Sequence, residues 1–421
     1  MLDSYTIIKK DKQIFKFCFY GFFKNLKFFE PYLIIYLLNL NFDLFQIGIL
    51  IAIKEIVTYA FEIPSGIIAD YYGKKKELLL CFSFYIISFI FFFLGFNFFI
   101  LSVGMVFFGL GEAFRSGTHK AMILEYLEHK NWYKYKGFVY GRTRSYSLLG
   151  SSLSAFISIV LVLNLPSLKW IFLIAIIPYI LDFLLILSYP SFLDITHRHH
   201  GHNKNNFIND SFKKLKSISK NKKISLIILS SSTYDAVFKA IKDYIQPILN
   251  TIILASGVGY FMNFSAEDSL KIYLGIIYGI FYIFSSLVSK NIYKLSNKYN
   301  ALILFNKMYD FMGIILITLS FTIKYNFFFG SVIIYFILYL MKDGRKPIFV
   351  DVSSDYMEKS QRVTVLSIES QIRAILMVFF APLFGFIANN VSINSLFLSI
   401  GIIILIFNRI LRLEKNILVK N

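Results

Sequence analysis

Residues 64–76 read Pro64-Ser65-Gly66-Ile67-Ile68-Ala69-Asp70-Tyr71-Tyr72-Gly73-Lys74-Lys75-Lys76, and this stretch decides the fold. It ends one hydrophobic run, and a second run begins at Leu78. Gly73 predicts a turn, because glycine adopts backbone conformations that other residues avoid, and the three lysines after it are expected in water. Gly66 predicts a close approach of two helices, and Asp70 places a carboxylate at the end of the first run. The pattern is typical of a hairpin between two membrane-spanning helices.

The composition is that of a membrane protein. The chain has 421 residues, of which 57% are hydrophobic and 16% charged, and its mean hydropathy is +0.62. These values differ from those of an ordinary soluble domain and predict a polytopic membrane protein. The net charge of +19 does not indicate a nucleic-acid partner, because the lysines and arginines cluster in alternate loops. The two cysteines lie in apolar runs and predict neither a disulfide framework nor a metal site.

Hydrophobic runs long enough to cross a bilayer, roughly 20 residues each, recur along the chain. We predict twelve spans, at residues 14–40, 45–70, 77–96, 98–127, 138–164, 167–190, 224–252, 270–288, 299–322, 325–345, 362–388 and 393–413. The first run has no small-residue cleavage site and is expected to be retained as a span. The predicted organisation is an N-terminal six-helix half (1–190), a basic cytoplasmic linker loop (191–223) and a C-terminal six-helix half (224–421).

The distribution of basic residues predicts the orientation. Lysine and arginine are far more frequent in the segments that share a side with the N-terminus, among which we count the segment that holds Arg345 and Lys346. Cytoplasmic loops carry this excess, so both termini are expected in the cytoplasm. The residue bias is that of an AT-rich genome, and we predict a multi-pass protein of a prokaryotic plasma membrane.

Charged residues interrupt several predicted spans. A charge at the centre of a bilayer costs about 2.5–3.5 kcal/mol on insertion scales, so such groups face a cavity or a partner. Glu112, Arg115 and His119 follow a helical spacing that places them on one face, and Glu369 and Arg373 are four residues apart. Any one of these charges is also consistent with a structural ion pair. The predicted substrate or coupling cavity contains Lys24, Lys27, Glu30, Glu55, Glu62, Glu112, Arg115, His119, Arg142, Arg144, Asp235, Lys239, Asp243, Gln246, Glu369 and Arg373.

The linker loop contains four histidines, at positions 197, 199, 200 and 202. Imidazoles bind zinc, copper and nickel, but these four lack helical i, i+4 spacing and have only Asp194 as a nearby carboxylate. We interpret them as part of a solvated loop and predict no metal and no cofactor.

Four motifs resemble one transporter family. The opening stretch resembles the Gly-x-x-x-Asp-x-x-Gly-Arg/Lys-Lys/Arg loop of the major facilitator superfamily. The segments 111–127, Tyr244-Ile245-Gln246-Pro247 and 362–368 resemble the fourth, seventh and eleventh spans of a prokaryotic subset with uncharacterised and efflux-like members. The resemblance implies an all-α fold of two six-helix pseudo-symmetric halves around a central cavity.

The same resemblance implies which spans face outward. The third, sixth, ninth and twelfth spans do so in the family, and three of their charges are therefore exceptions: Asp182, Lys307 and Asp310. We expect these to pack inward against the bundle or to pair with each other. The fifth span has a small-residue face, Gly150-Ser151-x-x-Ser154-Ala155, but lacks the Gly-Pro of the family's antiporter signature. The segment between the eighth and ninth spans lacks the Asp and Gly of the loop signature.

The resemblance also implies a cytoplasmic gate. A carboxylate at Asp70 is expected to accept hydrogen bonds from the N-terminal amides of the eleventh span and to complement its helix dipole. The predicted gate residues are Gly66, Asp70, Gly73, Lys74, Lys75, Arg362 and Thr364.

The predicted function is secondary active transport of a small polar or anionic solute by alternating access, coupled to an ion or to protons. The alternatives are a multidrug or metabolite efflux antiporter and a lipid flippase on the same fold. A membrane enzyme is disfavoured because the sequence has no nucleophile elbow, phosphate loop or metal spacing. We expect a monomer whose partners are the bilayer, the solute and protons. The sequence does not give the substrate, the direction of transport or the coupling ion.

Overall fold

The computed structural model describes residues 2–194, 221–256, 261–262, 264–298, 300–354, 356 and 362–412. Within these residues the regular structure is helical, which confirms the predicted all-α class. The helices are α1 (Leu2–Lys10), α2 (Lys12–Lys24), α3 (Leu33–Asn39), α4 (Leu44–Tyr72), α5 (Lys74–Leu94), α6 (Phe98–Arg115), α7 (Thr118–His129), α8 (Lys136–Asn164), α9 (Trp170–Leu187), α10 (Lys222–Ile241), α11 (Ile245–Ser256), α12 (Ala266–Lys298), α13 (Ala301–Lys324), α14 (Phe328–Ser354), α15 (Arg362–Asn390) and α16 (Ile393–Leu411).

Each of the twelve predicted spans corresponds to one helix or to two helices separated by a break. Ten segments of the described chain are long and apolar enough to cross a membrane. Those around α2 and α14 are not among them, because α2 has only 13 residues and because Lys342 and Arg345 lie inside the tenth predicted span, with Lys346 directly after it.

Three predicted spans are broken, although the sequence suggested continuous helices. Gly117 has a φ of +82°, a conformation that suits glycine, and it separates α6 from α7. In the seventh span a 3₁₀ turn, Lys242–Tyr244, separates α10 from α11. Pro247 then lies in the first turn of α11, where its missing N–H breaks no helical hydrogen bond. The first span is divided into α2, a 3₁₀ turn (Glu30–Tyr32) and α3.

The chain forms two compact units. Unit 1 comprises Met1–Phe42, Ile53–Arg198 and Glu267–Ile283, and unit 2 comprises Asp43–Ala52, His199–Ala266 and Phe284–Asn421. The start of α4 therefore belongs to unit 2, and part of α12 belongs to unit 1. The division at residues 190 and 224 stays a prediction.

Unit 1 is held together by small residues and buried aromatic rings. α5 packs against α6 and α9, and α2 packs against α8 and α9. A Cβ atom at Gly150 would lie 2.4 Å from the carbonyl oxygen of Phe22, so α2 and α8 approach at a distance that only glycine allows. The small-residue face predicted on the fifth span is confirmed at this position.

Unit 2 has a separate core. α13 packs against α14 and α16, and α10 packs against α15. Side chains from α10, α13, α14 and α15 form one apolar cluster, which includes Ile227, Phe305, Phe349 and Val365. Close packing of this kind fixes where the polar side chains on the same helices lie.

Candidate functional site

A group of charged side chains lies within unit 1 at the end of α6. Arg115 Nη2 donates to Glu112 Oε2 at 2.6 Å, and the Tyr85 hydroxyl donates to Glu112 Oε1 at 2.7 Å. Lys27 Nζ lies 3.9 Å from the same Oε1. We call Lys27, Tyr85, Glu112 and Arg115 the unit 1 cluster. The one-turn spacing of Glu112 and Arg115 in the sequence corresponds to a direct ion pair.

The unit 1 cluster is partly open. The side chains of Lys27, Glu112 and Arg115 are 20%, 21% and 32% exposed. Charged groups within a span rarely face lipid, because hydrocarbon does not solvate them. Their exposure therefore indicates contact with a water-filled space. Two cations contact one carboxylate, so these contacts leave an excess of positive charge.

Lys24 and Asp182 are buried in the same unit. Lys24 ends α2 and acts electrostatically on Glu112. Asp182 lies on α9 and is fully buried. In unit 2, Asp310 Oδ1 accepts a hydrogen bond from Asn408 Nδ2 at 2.6 Å, so it is bonded to α16. The inward packing expected of Asp182 and Asp310 is confirmed, whereas Lys307, for which the same was expected, is exposed.

His119 does not share a face with the unit 1 cluster, contrary to the prediction. The break at Gly117 places it on α7. Its ring stacks on Tyr20, with the ring centroids 3.6 Å apart, and its Nε2 lies 3.2 Å from the Tyr189 hydroxyl. The side chain is part of a buried aromatic core.

The three other predicted glutamates of unit 1 lie at separate places. Glu30 begins the 3₁₀ turn and is half-buried. Glu55 pairs with Lys54, whose Nζ lies 2.9 Å from Glu55 Oε1. Glu62 Oε1 accepts a hydrogen bond from the Ser116 hydroxyl at 3.0 Å. These contacts are local to α4 and the break after α6.

The two arginines of the fifth span lie near a helix end and not in its middle. α8 begins at Lys136, so Arg142 and Arg144 are in its first turns. Arg142 Nη1 donates to the carbonyl oxygen of Lys9 at 2.8 Å, and Arg144 is exposed. The predicted start of this span was accurate, and the role of both arginines as cavity residues stays a prediction.

A second charged group, the unit 2 cluster, consists of Asp235, Glu369 and Arg373. Arg373 Nη1 lies 3.3 Å from Glu369 Oε1 and 3.6 Å from Asp235 Oδ2. Ser232 Oγ donates to the backbone oxygen of Glu369 at 3.0 Å and joins α10 to α15. The i, i+4 spacing predicted the Glu369–Arg373 pair, whereas the contact with Asp235 depends on the packing of two helices.

The remaining predicted residues of the seventh span divide at the 3₁₀ turn. Lys239 is half-buried on α10. Asp243 lies in the turn and pairs with Lys242 Nζ at 3.1 Å, so it is not part of the helical face that carries Asp235. Gln246 follows on α11 and is fully buried.

Arg345 is a buried charge that the sequence interpretation placed in a cytoplasmic segment. It is 1% exposed within α14. Its guanidinium carbon lies 3.9 Å from the ring centroid of Phe305 and 4.2 Å from that of Tyr234, and Nη2 donates to Ser230 Oγ at 3.0 Å. The helical spacing of Met341, Arg345, Ile348 and Val352 was the available signal.

The predicted turn at Gly73 is confirmed. Its φ is +105°, and a Cβ atom there would lie 2.2 Å from Asp194 Oδ1. The same oxygen accepts a hydrogen bond from the backbone N–H of Lys75 at 3.0 Å. Asp194 therefore caps the N-terminus of α5, a role that sequence reasoning missed because 119 residues separate the partners.

Two of the three lysines do not lie in water as predicted. Lys74 forms a salt bridge with Glu125 of α7. Lys75 Nζ donates to the carbonyl oxygens of Leu187 and Tyr189, at 2.7 and 3.1 Å. The carbonyl groups that end a helix lack helical partners and attract cations, so this loop is bound to α7 and to the end of α9.

Among the other predicted gate residues, the structure tests only Gly66. A Cβ atom at Gly66 would meet nothing within 4 Å, so the close helix approach predicted there is wrong. Asp70 lies on α4, and Arg362 and Thr364 lie on α15. The side chains of these three residues are outside the described part, and the Asp70 contact stays a prediction.

The described residues contain no group of three His, Cys, Asp or Glu side chains that could hold a metal ion. The histidines at 197, 199, 200 and 202 lie outside them.

Comparison with known proteins identifies the family of this chain. Residues 15–342 match the sequence profile of the Major Facilitator Superfamily. The chain belongs to this superfamily. It is similar to an uncharacterized MFS-type transporter, YxaM of Bacillus subtilis (strain 168), with 22% identity over 380 residues that cover 90% of this chain and 89% of the relative.

Solved structures of transporters share the fold. The nucleoside transporter NupG superposes with a TM-score of 0.77 at 12% identity, covering 96% of this chain and 100% of that structure. A POT family transporter in complex with 5-aminolevulinic acid gives 0.73 at 14% identity, covering 97% of each chain. The chain is thus a membrane-embedded transporter, and at these identities the likeness extends to the fold alone.

Proposed function

We propose that this protein moves a small polar or anionic solute by alternating access, driven by protons or another ion. The protein acts as a monomer in a prokaryotic plasma membrane, with both termini in the cytoplasm. In this scheme the two six-helix halves rock around a solute site. The observation that carries the proposal is the unit 1 cluster, in which two cations and one carboxylate remain partly exposed inside membrane spans.

The unit 1 cluster is suited to an anionic group. Arg115 donates to Glu112 through one terminal nitrogen, and its Nε has no hydrogen-bond partner among the described residues. A guanidinium has five N–H donors and binds carboxylates and phosphates through two of them at once. The salt bridge of Lys27 is long, with 3.9 Å between its Nζ and Glu112 Oε1. A solute carboxylate or phosphate can therefore replace Glu112 on one of the two cations.

The unit 2 cluster supports the coupling part of the proposal. Asp235 and Glu369 share Arg373, so these direct contacts leave an excess of negative charge. A proton or a small cation can neutralise that excess. In Glu112, by contrast, each oxygen already accepts a hydrogen bond. We therefore assign coupling to Asp235 and Glu369 before Glu112.

The gate part of the proposal rests on the bound loop around Gly73. Lys74, Lys75 and Asp194 fix this loop to unit 1 and so fix the position of the last turn of α4, which carries Asp70. We propose that Asp70 completes the cytoplasmic gate through the N-terminus of α15.

A binding screen tests the proposed solute class. Purified protein is heated with single candidates from four classes: carboxylates and phosphates, neutral polar metabolites including nucleosides and peptides, cationic drugs, and lipids. We expect anionic or polar solutes to raise the melting temperature of the wild type but not of Arg115→Gln. The control is Arg144→Gln, which removes an exposed arginine of the same unit. Stabilisation by drugs or lipids alone would instead support efflux or lipid flipping.

A further inference from the structure

The carboxyl group of Asp182 is unusual among the buried groups of unit 1. Asp182 is fully buried; the backbone N–H of Lys24 is close enough to act on its carboxylate, but neither oxygen makes a hydrogen bond of normal geometry among the described residues. Buried polar groups in native proteins are nearly always hydrogen-bonded, so an exception of this kind calls for an explanation. The residue lies on α9, five positions before its last residue, Leu187.

An ionised carboxylate is not stable in a fully buried position without hydrogen bonds. Burying an ionised carboxylate without hydrogen bonds costs far more than burying a neutral polar group, and the group takes up a proton instead. A structural ion pair is the other solution, but Lys24, the cation that acts on Asp182, forms no salt bridge with it within 4 Å among the described residues. We propose that Asp182 is a proton-binding site of this transporter and carries a proton in this conformation.

The groups that face Asp182 come from α2 and from its own segment. They are Lys24 and Tyr20 of α2, and Tyr179 and Tyr189 on either side of Asp182 in sequence. Tyr179 is bound elsewhere, because its hydroxyl donates to the Lys24 carbonyl oxygen at 3.2 Å, while the Tyr20 hydroxyl has no hydrogen-bond partner in the described part of the chain. Through Tyr179 the surroundings extend to Cys81 of α5 and to Glu112 and Arg115 of α6. Lys24 is the one cation in the set that faces Asp182.

Lys24 links the proton site to the proposed solute site. Its ammonium group acts electrostatically on Asp182 and also on Glu112 of the unit 1 cluster. When Asp182 releases its proton, the new negative charge attracts Lys24 and draws positive charge away from Glu112. The affinity of the unit 1 cluster for an anion then falls. This coupling role rests on the proposed function, whereas proton binding by Asp182 does not.

Infrared difference spectroscopy on the purified protein tests proton binding without any solute. We expect a C=O stretch from a protonated carboxyl group at neutral pH in the wild type, and its loss in Asp182→Asn. Asp310→Asn is the control, because Asp310 is a half-buried carboxylate within a span that accepts a hydrogen bond from Asn408. A spectrum unchanged by Asp182→Asn would overturn the proposal.

A second variant keeps the proposal testable if Asp182→Asn fails to fold. In Lys24→Gln the band of Asp182 should persist to higher pH than in the wild type, because the nearest opposing cation is gone. A band that titrates identically in both proteins would contradict the assignment.

Proton movement in proteoliposomes tests the coupling role. With a solute identified by the screen, Asp182→Asn should bind the solute as the wild type does but move fewer protons per solute. Proton movement equal to that of the wild type would overturn coupling at Asp182. Failure to find any solute would count against the proposed function and would leave the infrared result standing.

Discussion

The two charged clusters have opposite stoichiometry. In unit 1 two cations contact one carboxylate, and in unit 2 two carboxylates share one guanidinium. Exposure differs in the same sense, because Arg115 and Glu112 are 32% and 21% exposed, whereas Arg373 and Glu369 are 24% and 6% exposed. The more open, cation-rich cluster suits an anionic solute that enters from water. The more buried, carboxylate-rich cluster suits a proton or a small cation.

The largest effect is expected at Arg345, which acts electrostatically on Asp235 and Glu369 of the unit 2 cluster. Arg345→Ala removes a buried side chain between Phe305 and Tyr234 together with its hydrogen bonds to Ser230. We expect a loss of about 3–5 kcal/mol in the free energy of unfolding, as for other large buried side chains. Thermal unfolding in detergent measures it, with the exposed Arg409→Ala as control. A melting temperature equal to that of the control would refute this supporting role.

The second-largest effect is expected at Arg373, whose guanidinium contacts both Asp235 and Glu369. Arg373→Gln leaves Asp235 and Glu369 without their common partner, and we expect a destabilisation of about 1–3 kcal/mol. The double variant with Glu369→Gln should recover much of this loss, because one of the two carboxylates is then neutral. If the double variant is as unstable as the single variant, the two carboxylates do not compete for Arg373.

The contacts within one helix were predictable from the sequence, and the contacts between helices were not. The pairs Glu112–Arg115 and Glu369–Arg373 were predictable, because one helical turn separates their members and no tertiary information is needed. The contact of Asp235 with Arg373 was not, because it depends on how α10 packs on α15. His119 was misplaced because a helical spacing does not reveal the break at Gly117.

Other errors have the same physical origin. The run Gly344-Arg345-Lys346-Pro347 has the composition of a turn, yet the apolar packing of Ile348 and Val352 keeps it helical. Asp194 acts on an element far away in the chain, and only the fold brings the two together. The inward position of Asp182 was predictable from one charge in an apolar run, but its lack of hydrogen bonds was not.

A smaller effect is expected at Glu112. Glu112→Gln removes the internal carboxylate that competes with an anionic solute for Arg115 and Lys27. We expect the affinity for the solute to rise roughly fivefold, which corresponds to about 1 kcal/mol. Isothermal titration measures it, with the exposed Glu128→Gln as control. Weaker binding would show that Glu112 contacts the solute directly.

The smallest effect is expected at the gate. Asp70→Asn should slow transport about two- to fivefold, because a carboxylate near a helix N-terminus contributes about 0.3–1 kcal/mol. The amount of protein in the membrane should stay the same. Unchanged uptake kinetics in proteoliposomes would remove Asp70 from the gate.

The central claim is that the unit 1 cluster binds the solute and the unit 2 cluster binds the coupling ion. The most direct measurement is the solute affinity of the wild type, Arg115→Gln and Glu369→Gln at acidic and alkaline pH. The account predicts that Arg115→Gln binds roughly 10- to 150-fold more weakly at both pH values, as expected for the loss of a charged hydrogen bond of about 1.5–3 kcal/mol. Glu369→Gln should retain the affinity and lose the part of its pH dependence that does not come from Asp182. Loss of affinity in Glu369→Gln with normal binding in Arg115→Gln would contradict the account.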